Sequence, residues 1–200
     1  MVQPLSNISS LSPKLSALKN SLLGSNTSSR EEKVEAGVSL MILDENDYLE
    51  TLLIQRTERH DDPWSGQIGL PGGRVKPSDG TIRSTIHREV LEEVGVDLAA
   101  DGDELGALSI GHPIRRLEMR VQPWVYGLKR RPSVTIGPEV SSAFWVSLPS
   151  LPLTRTASQV SIRGEQRTVG CFLVEGKVVW GYTYRVLTEL LEVLGIIARP

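Results

Sequence analysis

The stretch "HREVLEEVG", His87 to Gly95, places Glu89, Glu92 and Glu93 within five positions, directly after Arg88 and before Gly95. At about 100° per residue, Ile82, Ile86, Val90 and Val94 fall on one stripe, so the spacing predicts an amphipathic helix over Thr81 to Gly95. Asp79 or Ser78 is available near its start, and Gly95 is the residue that ends it. Glu89 and Glu93 project along the edge of the apolar stripe, away from the wet face. On an ordinary helix Glu92 would be solvated and Arg88 to Glu92 would be a weak i,i+4 pair. Glu89 and Glu93, also four apart, repel each other, and more so as water is excluded. A divalent cation reverses that sign. Mg²⁺ takes oxygen ligands from a few carboxylates and leaves the rest of its shell to water and substrate phosphates, which suits three carboxylates on one helical arc.

The loop before this helix ends in "LPGGR", where Gly72 and Gly73 let the backbone approach a ligand or metal closely. Taken alone, Pro-Gly-Gly is a tight turn; ahead of a helix bearing carboxylates it becomes a candidate phosphate and metal site. Arg56 ends a strand leading into this loop and could fork onto phosphate oxygens. Arg74 follows the glycines, and Arg115 and Arg116 sit in a later loop around the same candidate site; each of these cations, taken singly, reads as a surface residue. Trp64, in "DDPWSG", offers a flat stacking face beside the glycines. His60, His87 and His112 share no metal spacing, and no hydroxyl stands in a nucleophile elbow, so metal-activated water is a better candidate than a protein nucleophile.

Along the chain, "VEAGVSLMIL" and "LETLLIQRT" read as two strands joined by the turn "DENDY". Beyond the acidic helix, "LGALSIG", "MRVQPWVYGL" and "AFWVSL" read as further strands. "RTVGCFLVEGKVVWG" reads as a final hairpin, and "YTYRVLTELLEVLGII" as a closing helix. Strands and helices mix without βαβ alternation, which predicts an α/β fold with a mixed sheet packed between helices. The Ser-rich opening predicts a tail over 1–33, with a short amphipathic helix near Ser12 to Leu23 and a Gly-Ser-Asn-Thr-Ser-Ser linker. The main domain would be 34–200.

Twenty-two Lys and Arg against 24 Asp and Glu leave a formal net charge of -2, without the basic excess of a nucleic-acid binder. No apolar run is long enough for a bilayer, so no membrane partner is expected. Cys171 is the single cysteine, set among apolar neighbours, and reads as a buried core residue. A cytoplasmic location fits.

"GGRVKPSDGTIRSTIHREVLEEVGV" resembles the Nudix box, G-x5-E-x7-R-E-U-x-E-E-x-G-U, with U a bulky aliphatic residue. Its second half matches throughout, at Arg88, Glu89, Val90, Glu92, Glu93, Gly95 and Val96. The first half departs: the strict pattern wants Gly at Arg74 and Glu at Gly80, so this loop is one residue longer. That lengthening, with "LPGG", "KPSD" and "VVWGYTYRVLTELL", is similar to the branch that includes coenzyme A diphosphatases. Lys76 stands where that branch often has an acid, and Trp64 stands where it places a histidine.

The resemblance implies a Nudix-type α/β/α sandwich and hydrolysis of a nucleoside diphosphate linked to another moiety, with Mg²⁺ or Mn²⁺. Glu89, Glu92 and Glu93 would be metal ligands or general base, Arg88 would orient them, and the Gly73 carbonyl would be a further ligand. Glu139, in "GPEVSSAFWVSL", falls where relatives often put an acid near the site. Coenzyme A or an acyl derivative is the first substrate expected. The alternative is a nucleotide-binding module without hydrolysis. A homodimer is also open, since the closing helix and the N-terminal segment could each cover a partner.

Overall fold

The computed structural model describes residues 11–25, 34–45, 48–60 and 64–199. Most of the expected linker, part of the "DENDY" turn and the start of the "DDPWSG" loop lie outside the described residues.

Helix α1 is Pro13–Ser25. Strands β1 (Ala36–Glu45), β2 (Tyr48–Arg56), β3 (Ile68–Gly69) and β4 (Gly72–Arg74) precede helix α2 (Ile82–Val94) and the single turn α3 (Leu98–Asp101). Then come β5 (Gly102–Ala107), β6 (Val121–Leu128), β7 (Val140–Ser147), β8 (Arg155–Ile162), β9 (Glu165–Val174), β10 (Lys177–Trp180) and helix α4 (Gly181–Val193).

The first seven strands form one sheet in the order β3-β2-β1-β6-β5, with β4 also on β1 and β7 also on β2. β1 runs parallel to β6 and antiparallel to β2 and β4, so the sheet is mixed as expected. Alternation along β1 divides the core. Leu40 and Ile42 face a cluster with Leu15, Leu18 and Leu22 of α1 and Val186, Leu187, Leu190 and Leu191 of α4. Met41 and Leu43 face the other way, onto Ile86, Val90 and Val94 of α2. Each such side chain contributes roughly 1.5–3 kcal/mol of burial before chain entropy is set against it. Helices thus cover both faces, the α/β/α sandwich expected from the sequence.

β8, β9 and β10 form a second, three-stranded sheet. Its β9–β10 hairpin matches the sequence reading, but β8 is an addition to it. "RTASQVSI" alternates small polar residues with Ala and Val, and most of it is exposed, so it has no apolar face from which a period could be read. Its turn to β9 puts Arg163 at φ 52° and Gly164 at φ 83°, the left-handed pair that a two-residue hairpin loop requires. Cys171 is buried in β9, as expected.

Candidate active site

The turn between β3 and α2 brings two glycine backbones against two glutamates. Gly72 has φ 146°, and a Cβ there would fall 2.6 Å from Val38 Cα, so only glycine lets this strand close onto β1. Its N–H donates to Glu93 Oε2 at 2.8 Å. At Gly73 a Cβ would stand 2.5 Å from Glu89 Cδ, so the missing side chain makes the space that the Glu89 carboxylate fills.

Helix α2 presents these carboxylates as its periodicity predicts. Thr81 caps the helix by accepting from Ser84 N–H, and Gly95 ends it at φ 71°. Glu93 is 3% exposed, beside the buried Val90 and Val94. Burial pushes its carboxyl up to about 7; the Gly72 N–H and Arg56 oppose the rise, and Glu89 and Glu139 reinforce it. Arg56 Nη1 lies 3.6 Å from Glu93 and its Nη2 lies 3.6 Å from Glu139, which Arg59 also approaches at 3.7 Å. Here Arg56 lies between two carboxylates. Glu92 lies on the outer side, 3.2 Å from Arg88 and 3.7 Å from Lys76.

Arg88 is gripped from behind. Its Nε and Nη2 donate to the two oxygens of Asp79, each at 2.8 Å, and Nη2 also reaches the Arg74 carbonyl at 3.2 Å. The remaining arm, Nη1, donates to Glu89 at 2.6 Å and Glu92 at 3.2 Å. Asp79 also accepts from Thr85 Oγ1 at 2.9 Å and Lys76 N–H at 2.7 Å. The Arg88 guanidinium holds the Asp79 carboxyl well below the usual carboxylate range, and Asp79 raises Arg88 in turn. Sequence reasoning offered Asp79 as a helix cap; Thr81 takes that place and Asp79 anchors Arg88. The signal was present: Asp79 directly precedes Gly80, where the strict box has Glu, so the acid has moved one place with the lengthened loop.

These groups open into a cavity of about 680 Å³. Arg56, Trp64, Gly73, Arg74, Glu89, Glu92, Glu93 and Glu139 all line it, which brings together every expected site residue except Arg88, set behind the glutamates; Lys76, not expected there, lines it too. Arg74 is exposed at the cavity's edge. Trp64 carries Arg116 over its ring, 5.6 Å from the centroid, and packs on the small cluster of Ala36, Met119 and Val121. The sequence reading set Arg115 around the site without a role and did not place Ile114, Trp180 or Tyr182 here; all four line the cavity.

The donor set fits a hard divalent ion: two carboxylates, a third at the rim and the exposed backbone of a glycine turn. Among the described residues no three Asp, Glu, His or Cys side chains already converge as a closed cage.

The NUDIX domain family model matches residues 33–163. The chain therefore belongs to the Nudix family. A curated relative, an uncharacterised protein of Schizosaccharomyces pombe, is 34% identical over 125 residues, covering 56% of this chain but only 36% of that protein. Among solved structures, the Nudix hydrolase RenU from M. smegmatis superposes with a TM-score of 0.56 at 14% identity, over 84% of this chain and 89% of that one. A bifunctional NMN adenylyltransferase/ADP ribose pyrophosphatase from Francisella tularensis, solved with AMP and a Mn ion, gives a TM-score of 0.49 at 18% identity. It covers 90% of this chain and 46% of that one. The RenU likeness establishes the fold.

Proposed function

We infer that this chain is a metal-dependent pyrophosphohydrolase that cuts the phosphoanhydride of a small nucleoside diphosphate derivative. The observation that carries the reading is the buried Glu93 beside Glu89 on the glycine turn, facing a cavity large enough for a nucleotide. Glu89, Glu93 and the Gly73 carbonyl are the groups that would hold Mg²⁺ or Mn²⁺, with Glu92 at the rim. When bound, such an ion supplies neutralisation of the bridging phosphates and acidification of a coordinated water.

The chain's own residues supply alignment. Arg88, fixed by Asp79, holds Glu89 and Glu92 in place, so one of these carboxylates is positioned to accept the proton of the attacking water. The water oxygen bonds to phosphorus as the bridging P–O bond breaks, and the leaving phosphate carries the other half of the substrate away. Arg56 is placed to meet phosphate oxygens once a cation takes over the charge of Glu93, and Trp64 to stack on a flat moiety.

Coenzyme A or an acyl derivative is the first substrate to test, on the strength of the lengthened box. The test measures product release from coenzyme A, NADH, ADP-ribose, diadenosine polyphosphates and deoxynucleoside triphosphates, with and without Mg²⁺. Metal-dependent release from one of them is the expected result. Tight binding without release under either condition would establish the second reading, a nucleotide-binding module. Among the described residues no helix is long and apolar enough to cross a membrane. A cytoplasmic location is part of the proposal, consistent with the buried, unpaired Cys171.

A further inference from the structure

The carboxylates occupy one part of the cavity; another part is built from the loop 111–119 and the second sheet. Trp180 at the end of β10, Tyr182 at the start of α4, and Pro113, Ile114 and Met119 of the loop make an apolar, aromatic wall. Arg115 lies in that wall with its guanidinium 6.0 Å from the Trp180 ring centroid. Its Nη2 donates to the Ser161 carbonyl on β8 at 2.8 Å, and its own carbonyl accepts from Arg163 Nη2 at 3.3 Å. The β8–β9 hairpin therefore holds this arginine at both ends of the residue.

Its charge is uncompensated. No acidic side chain pairs with Arg115 among the described residues, and its buried Nε has no hydrogen-bond partner. Nη2 is spent on Ser161 and Nε is buried, which leaves Nη1 as the arm free to meet a ligand; a half-buried guanidinium beside an indole with such an arm is an arrangement that ordinarily receives an anion. Phosphates of the anhydride would be met by metal, Arg56 and Lys76 in the other part of the cavity, so they do not account for this cation.

We propose that Arg115, stacked on Trp180 and held by the β8–β9 hairpin, is a specificity residue that reads a second phosphate on the nucleoside, apart from the anhydride. This rests on the pyrophosphohydrolase reading for the identity of the first phosphates. The preferred substrate is then a nucleoside diphosphate derivative phosphorylated on its ribose, with the base or the adjoining chain against the wall of Trp180, Tyr182 and Ile114.

Two ligand pairs differ by that one group: coenzyme A against dephospho-coenzyme A, and NADPH against NADH. Calorimetric titration of the metal-free protein in chelator measures binding with no turnover required. In at least one pair the phosphorylated member should bind about tenfold more tightly or better, as a charge-assisted hydrogen bond supplies. Arg115→Gln should abolish that advantage while leaving affinity for the unphosphorylated member unchanged, and Arg115→Lys should restore part of it. The unphosphorylated ligand also reports that the variant is folded. No advantage in either pair, or an advantage that survives in Arg115→Gln, overturns the proposal. Absence of Mg²⁺-dependent product release with the advantage intact would count instead against hydrolysis, so the two failures are distinguishable.

Discussion

In one part of the cavity, Glu89, Glu92 and Glu93 come from a single helix and meet the glycines of the strand just before it; in the other, Arg115, Trp180 and Ser161 come from three segments that meet only through the second sheet. Helical periodicity and one tight turn fix the first arrangement, so a short motif is sufficient to specify it. Tertiary pairing fixes the second, and no spacing along the chain announces it. The first part can keep its chemistry while the second changes what it selects. Variants in the two parts should therefore fail differently, turnover in one and recognition in the other.

The largest contrast is expected at Glu93. Glu93→Gln keeps size but removes the charge a cation needs, so kcat should fall by at least ~10²-fold, a few kcal/mol of transition-state stabilisation. The metal-free protein should keep or gain stability, because a buried, mutually repelling carboxylate has gone. Its pH dependence should change as well. Glu93 titrates near 7 when folded against an ordinary value of 4.5. Between these the native state keeps a proton that the unfolded chain has lost. Metal-free stability therefore falls as pH rises from about 4.5 to 7, by up to about 3 kcal/mol, and levels off above. Melting temperature followed against pH should show this slope in the wild type and lose it in Glu93→Gln; equal slopes would remove burial of Glu93 as its cause.

A smaller effect is expected one step back from the carboxylates. Asp79→Asn weakens the clamp on Arg88 without touching the cavity, and should lower kcat about tenfold with KM little changed. Wild-type kcat in that variant would show that Glu89 and Glu92 hold Arg88 unaided.

The smallest effect belongs to the aromatic part. Trp64→Ala should raise KM several-fold, about 1 kcal/mol of stacking, with kcat nearly unchanged and a melting temperature lowered only modestly by the lost packing on Met119 and Val121. A large loss of melting temperature with unaltered kinetics would make Trp64 a packing residue and blur the distinction between the two parts.

What the sequence disclosed follows the same division. The stripe of Ile86, Val90 and Val94, the glycine stop at Gly95 and the closing helix were readable because each repeats a local period or uses a residue with one conformational purpose. The placing of Glu93 at the stripe's edge followed from the same geometry, and it is buried. Strand β8 was unreadable because an exposed strand has no inside to encode. Asp79 was misassigned because a helix-capping acid and an arginine anchor look alike until the loop's path is known. Arg115 was set near the site but given no role, because its partners, Ser161 and Trp180, lie dozens of residues away.

The match to the Nudix family ends at Arg163, the turn residue of the β8–β9 hairpin, and begins after α1. Leu15, Leu18 and Leu22 on one side of that segment, and Val186, Leu187, Leu190 and Leu191 on the other, nevertheless share one core with Leu40, Leu53 and Val125. A polypeptide trimmed to the matched segment would keep the acidic helix and its glycine turn but open a whole face of the sheet to water. It would also cut the hairpin that holds Arg115. In this chain the residues that build one core reach past the matched segment on both sides, so the sheet that carries the acidic helix on one face depends on helices beyond that segment to cover the other.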